Sequence, residues 1–368
     1  MSNMNETSVK QPLFRMIKRD DVTKSQAMCV RLIAVLLSLI VCAAIITGIT
    51  GESPVNVYLG IINGAFGNPN RIWVTIRETA VLLLIAVGLT PAFRMKFWNI
   101  GAEGQILMGG LVSAAWMIYG AEKMPNGILL IFIIISSAAA GMIWGVVPAV
   151  FKAYMNTNET LFTLMLNYVA MQVINYAIVY WEKPAGSNTV GIINSASKAG
   201  WFPKLFGGTY GLNVLLVLIV TVLVTIYMRR SRQGFELSVV GESSRTAEYV
   251  KINVKRVIIR TMMISGAICG LAGAVIVSGS SHTISTSTAG GRGFTAIVVA
   301  WMSQFNPIAM LVVSAFFVFM QQGAIQIATQ FGLNENASDI ITGIILFFMI
   351  GAEYFVQYKF RFGRKKEA

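Results

Sequence analysis

The stretch FWNIGAEGQILMGG, Phe97 to Gly110, decides how this chain is read. Apolar runs flank it on both sides, yet it sets Asn99, Glu103 and Gln105 among Gly101, Gly104, Gly109 and Gly110. A charged side chain facing hydrocarbon costs roughly 2.5–3.5 kcal/mol on insertion scales, so such groups need protein or water around them. Two roles meet that need. In the first, Asn99 caps the helix that follows, Glu103 in its first turn suits the positive end of the helix dipole, and the glycines let neighbouring helices approach closely. In the second, the polar trio lines a path for a polar solute. The two are compatible, and the residues alone leave both open.

Composition sets the wider frame. The 368-residue chain is 55% hydrophobic and only 12% charged, with a mean hydropathy of +0.66. Soluble domains carry about 25% charged residues. A single core cannot absorb this much apolar sequence, so the expected class is an all-α polytopic membrane protein. The net charge of +13 sits at the ends and in short loops, as membrane topology requires, and forms no compact basic module for nucleic acid. Cys29, Cys42 and Cys269 lack metal-ligand spacing, and His282 is the only histidine, which argues against a zinc site or a histidine-based triad.

Ten apolar segments read as spans, near 32–50, 79–93, 103–120, 127–151, 160–181, 211–229, 257–279, 293–304, 307–329 and 337–355. A helical crossing takes about 20 residues, so the second and eighth segments are short, and a tilted, broken or re-entrant course is expected for them. Eight spans result if 79–120 or 293–329 folds as one broken unit. Lys10, Arg15, Lys18, Arg19, Lys24 and Arg31 precede the first span, and Lys359, Arg361, Arg364, Lys365 and Lys366 follow the last. Both ends are therefore assigned to the cytoplasm, which requires an even number of spans. The reading is a cytoplasmic segment 1–30, a transmembrane domain 31–356 and a basic tail 357–368. The basic loop 229–256 lies inside and the loop 182–209 outside. The first apolar run reads as a retained span, not a secretory signal.

Five further stretches carry signals. In NETLFTLMLNYVAMQVINY, Asn158 to Tyr176, the residues Thr160, Thr163, Asn167 and Gln172 punctuate an apolar span. Asn167 sits well inside it and needs a partner, either a neighbouring helix or a polar solute. The inner loop contains GESSRTAEYV, in which Ser243 or Ser244 is a helix N-cap and Ala247, Tyr249 and Val250 give a small apolar surface. So short a helix is poorly stable alone, and it makes sense docked in a partner's groove. ISGAICGLAGA, Ile264 to Ala274, repeats small residues at Gly266, Gly270 and Gly273, the pattern of a tight helix–helix interface. STAGGRGF, Ser287 to Phe294, has the look of a phosphate nest, but on the outer side it is expected to be a flexible lead-in to the eighth span. His282, in GSSHTIS, is expected to be a solvated loop residue.

The absences are informative too. No G-x-x-x-x-G-K-[ST] occurs, so the chain has no Walker-type ATP site, and no dinucleotide fingerprint follows a strand. The ionisable residues near spans are few: Glu78, Glu103, Asp339 and Glu353, all read at or near span ends. That sparseness weighs against an ion-coupled transporter or a channel. No catalytic constellation gathers at one depth, which weighs against a membrane-embedded enzyme. No catalytic residue, metal ligand or cofactor site of its own is assigned.

Taken together, these stretches resemble the permease subunits of ATP-binding cassette importers in the branched-chain amino acid, ribose and nucleoside superfamily, with the nucleoside and simple-sugar permeases nearest. AFRMKFWNIGAEGQ, Ala92 to Gln105, follows the family's A-F-R-x-x-x-F-N-I-G-A-E-G-Q with Trp98 at the phenylalanine position. NETLFTLMLNY, Asn158 to Tyr168, VGESSRTAEYVKI, Val240 to Ile252, and SGAICGLAG, Ser265 to Gly273, follow three more. Ser243, Thr246 and Lys251 depart from the usual Asn, Ala and Gly. The likeness runs from about residue 75 to 355.

The resemblance implies a type II importer fold of about ten helices in a bacterial cell membrane. It implies no ATPase activity in this chain, with ATP and Mg held by separate ATPase subunits. A second permease chain in a heterodimer and an extracytoplasmic binding protein, a lipoprotein, complete the assembly. The implied coupling element is the loop Gly241, Glu242, Ser243, Ser244, Arg245, Thr246, Ala247, Glu248 and Tyr249. Asn99, Glu103, Gln105 and Asn167 are the candidates for the translocation path or a helix break, and Arg94 for coupling or gating. The implied substrates are nucleosides, with ribose or another simple sugar, or a branched-chain amino acid, as the alternative.

Overall fold

A computed structural model describes residues 14–18, 24–205, 208, 210–333 and 336–362. The chain divides into two units, residues 1–61 with 324–368, and residues 62–323.

In the first unit, β1 (Phe14–Lys18) pairs antiparallel with the C-terminal strand Tyr358–Phe362, Phe14 opposite Phe362 and Lys18 opposite Tyr358. The all-helical expectation therefore gains a small two-stranded ribbon, built from the segments assigned to the N-terminal extension and the tail. The helix α1 (Lys24–Thr50) starts before the apolar run and packs on the C-terminal helix Asn336–Gln357. Arg31 and Glu353 close this pair with an ion pair of 2.9 Å. An unforeseen short helix, α2 (Pro54–Phe66), follows α1.

The second unit is built on two nearly sealed helices. One is α3 (Pro69–Arg94), buried from Glu78 to Phe93. The span expected at 79–93 thus begins ten residues earlier. Asn68 accepts the Arg71 N–H at 2.8 Å, and Pro69 at the first helical position needs no hydrogen bond there. After it come α4 (Ala102–Gly120), α5 (Asn126–Met155), α6 (Glu159–Trp181) and α7 (Gly211–Arg230), of which α7 packs on α3. Next come two short helices, α8 (Arg232–Glu242) and α9 (Ser244–Tyr249). The other sealed helix is α10 (Val254–Ile276), prolonged by a π-turn at Val277–Ser281. Then come α11 (Arg292–Met302) and α12 (Pro307–Gln330); the last helix, α13 (Asn336–Gln357), and β2, the strand Tyr358–Phe362, belong to the first unit.

Small residues set the central packing. A Cβ on Gly270 would collide with the Ser137 carbonyl of α5, and one on Gly273 with the Ile106 carbonyl of α4. Lipid offers no hydrophobic drive for helices to associate, so close backbone approach supplies dispersion contact in its place. The interface read from ISGAICGLAGA is therefore three-sided, with α10 wedged between α4 and α5.

Eight helices among the described residues are long and apolar enough to cross a membrane, α4 and α11 not among them. Eleven residues of α11 rise about 16 Å, roughly half of a hydrocarbon core of about 30 Å. Its C-terminal turn, Gln304 to Pro307, lines one cavity with Arg94 and Arg229, the basic ends of α3 and α7. By the positive-inside rule that end is cytoplasmic. On that assignment a helix this short has its N-terminus at membrane depth.

The described residues of the loop after α6 are tied to the rest of the unit by hydrogen bonds. Ile193 N–H donates to the His282 carbonyl (2.8 Å), Phe202 N–H to that of Ser278 (3.0 Å), and the Asn194 amide to that of Met117 (2.6 Å). His282 is half-buried where a fully solvated residue is expected. Its ring stacks on Trp201, centroids 3.6 Å apart and 2° from parallel. Burial, helped by the charge of Arg77, pushes its pKa down to about 4.

Candidate functional site

Two interrupted helices meet at the centre of the larger unit, and the polar residues of the first motif hold them. An interrupted helix exposes backbone N–H groups that no intrahelical carbonyl satisfies, and within a membrane each must find a partner. At α4 the partners come from its own lead-in and from α6. Gly101 N–H donates to Asn99 Oδ1 (3.1 Å), Ile100 N–H to Thr163 Oγ1 (3.2 Å) and Gly104 N–H to Asn167 Oδ1 (2.9 Å). The Asn167 amide group returns a hydrogen bond to the Ile100 carbonyl at 3.0 Å. Asn99 and Gln105 exchange two amide hydrogen bonds of 3.3 Å, and Asn99 reaches Ser265 of α10 at 3.4 Å.

Glu103 does not serve its own helix. Its carboxylate accepts Gly291 N–H at 2.7 Å and Gly293 N–H at 2.8 Å, the first turn of α11. The glycines of STAGGRGF do form an anion nest, and an acid of the same chain fills it. A Cβ on Gly293 would lie 2.6 Å from Glu103 Oε2, so a glycine is required there for the carboxylate to approach.

Beside this cap lies an ion-pair cluster that the sequence reading missed. Glu78 accepts from Arg292 at 2.8 Å and from Arg77 at 2.5 Å, and its side chain is 9% exposed. The expected span at 79–93 leaves Glu78 at the span end, because that range starts after it. The signal that would have corrected this is Asn68-Pro69, a helix start ten residues upstream. Arg292 was hidden inside the glycine-rich lead-in.

Asn99, Glu103, Gln105 and Asn167 are thus brought together, all buried, at 0%, 3%, 1% and 3% exposure. Trp98, the departure from the family motif, stacks on Trp301 of α11 with centroids 5.4 Å apart, and both indoles keep an exposed side.

The loop residues Gly241 to Tyr249 lie elsewhere, in α8 and α9 beside the C-terminal end of α3. Ser231 opens α8 by accepting Gly234 N–H at 2.9 Å, and Ser243 opens α9 by accepting Thr246 N–H at 3.2 Å. Glu236 ties α8 to α10 through Arg260 at 3.1 Å. Gly241 packs on the Arg94 carbonyl so closely that a Cβ would collide with it. Ala247 is buried, while Glu242, Arg245, Glu248 and Tyr249 face outward, Tyr249 at 90% exposure. A cavity of about 290 Å³ opens beside them, lined by Lys96, Lys152, Glu159, Glu242 and Ser244. Among the described residues no group of acids, histidines and cysteines could hold a metal ion.

Residues 72–350 match the family described as the branched-chain amino acid transport system / permease component. A guanosine ABC transporter permease protein of Bacillus subtilis is 30% identical, over 94% of this chain and 99% of that protein. A nucleoside ABC transporter permease protein of Lactococcus lactis is 26% identical, over 89% and 91%. A glucose ABC transporter permease protein of Haloferax volcanii is 28% identical, over 75% of each. No solved structure matches the chain significantly.

Proposed function

Since this chain belongs to the permease-component family of branched-chain amino acid transport systems, we propose that it forms the membrane path of an ATP-binding cassette importer for nucleosides. The observation that carries the substrate class is the near end-to-end likeness to a guanosine permease. The likeness to a glucose permease over three quarters of each chain supports the runner-up, a simple sugar.

In this reading ATP and Mg are bound by separate ATPase subunits, a second permease completes a heterodimer, and an extracytoplasmic lipoprotein delivers the solute. The outward face of α9 docks on the ATPase. Gly241 against Arg94 passes movement of that loop to the end of α3, and the helices rock to expose the path alternately to the two sides. Asn99, Glu103, Gln105 and Asn167 hold the interrupted helices in register while they do so. Glu103 and Asn167 act on backbone N–H groups of other segments, so their part is positioning.

Uptake of radiolabelled nucleosides by cells with and without the chain tests this, with ribose and leucine as competitors. Uptake lost on deletion and competed only by nucleosides is the expected result. Competition by ribose or leucine instead retains the importer and overturns the substrate. Uptake that persists without the chain overturns the whole reading.

A further inference from the structure

The outward face of α6 is mixed: Leu161, Met165, Val169 and Val179 suit lipid, and a polar stripe runs between them. Its buried face runs Thr163, Asn167, Ala170, Ile174 and Ile178. On the opposite face Tyr168, Gln172, Asn175 and Tyr176 are exposed, the tyrosines at 57% and 66%. Gln172 stands two residues beyond the helix midpoint at Ala170, in a helix of 23 residues. The neighbouring spans provide an internal control. The exposed face of α7 is Leu215, Leu218, Ile219, Val222, Leu223 and Ile226, and that of α5 is equally apolar. Hydrocarbon suits those faces, whereas an amide at mid-membrane belongs against protein or water.

The four residues also share a geometry. Positions 168, 172 and 176 are one turn apart and so stack along one line of the helix. The Asn175 amide donates to Gln172 Oε1 at 3.3 Å. That bond leaves the Gln172 NH2 donor and the Asn175 Oδ1 acceptor, on neighbouring side chains, without a partner among the described residues. A tyrosine ring stands one turn below and one turn above. An adjacent donor and acceptor match the hydrogen-bonding edge of a heterocyclic base, and an exposed tyrosine face stacks on a flat ring.

We propose that Tyr168, Gln172, Asn175 and Tyr176 are this chain's lining of the solute path and read the base of the passing nucleoside. The proposal rests on the importer reading above and places the specificity on α6, away from the buried polar cluster.

Gln172→Cys, in a chain carrying Cys29→Ser, tests it in the assembled transporter in membranes, with a charged, membrane-impermeant thiol reagent. Ile219→Cys on α7 is the lipid-facing control. The expected result is labelling at 172 and not at 219, slowed by saturating guanosine and not by ribose. No labelling at 172 overturns the proposal. Labelling slowed by ribose and not guanosine overturns base recognition and the nucleoside reading, while the path on α6 survives. As a second variant, Gln172→Leu is expected to raise the KM for guanosine about tenfold, the loss of one hydrogen bond, with co-purification of the partner permease unchanged. Loss of that co-purification with KM unaltered assigns the stripe to the permease interface and overturns the proposal.

Discussion

Glu103 caps α11, whose N-cap Gly291 lies 188 residues further along the chain, its two carboxylate oxygens accepting the N–H groups of Gly291 and Gly293. The acid in an otherwise apolar stretch closes the open end of the half-length helix α11 inside the membrane.

Removing it should cost accordingly. Glu103→Ala leaves two donors unsatisfied, and the expected loss is about 3 kcal/mol, the scale of charge-assisted hydrogen bonds. Glu103→Gln keeps one acceptor oxygen and falls between. Thermal unfolding of the purified chain in detergent, followed by tryptophan fluorescence, measures both. Equal midpoints for wild type and Glu103→Ala would rule out the capping role.

The Glu78–Arg292 pair should behave as a buried ion pair. Arg292→Ala leaves Glu78 with Arg77 alone, and breaking such a pair typically costs about 3–5 kcal/mol. The double variant Glu78→Ala/Arg292→Ala is expected to be less damaging than the sum of the single changes. A double-mutant cycle on unfolding midpoints reads this coupling directly, and simple additivity would refute it.

Tyr249 separates folding from assembly. At 90% exposure it contributes little within the chain, so Tyr249→Ala should shift stability by less than about 0.5 kcal/mol. Co-purification of the ATPase subunits is nevertheless expected to fall severalfold. Retention of the ATPase at wild-type level would show that the exposed face of α9 is not the docking surface.

His282 gives the outer loop a pH dependence of defined sign. Its folded pKa is depressed from 6.5 to about 4, so as pH falls the unfolded loop takes up the proton first. The stabilisation is fully present above about pH 6.5, declines as pH falls towards 4 and levels off below. With one histidine in the chain, His282→Phe, which keeps a flat ring beside Trp201, is expected to flatten this part of the profile. Denaturant midpoints measured at pH 7, 5.5 and 4.5 in both proteins decide the matter.

The sequence by itself determined the class of protein, the cytoplasmic ends and the need for caps, because these follow from local hydropathy, charge and glycine spacing. It also marked Asn99, Asn167 and the glycines of α10, since polar or small residues inside apolar runs are recognisable without a partner. Only the tertiary structure decided which group satisfies which. Glu103 was placed by its own helix in the sequence reading, and its true donors lie on another helix. Glu78 passed for a span end until the helix start at Asn68 put it inside α3. Gln172 and Asn167 looked alike on one helix, yet they point to opposite faces, one exposed and the other sealed. A residue's exposure and its hydrogen-bond partner depend on what folds against it, and in this chain those partners come from distant segments.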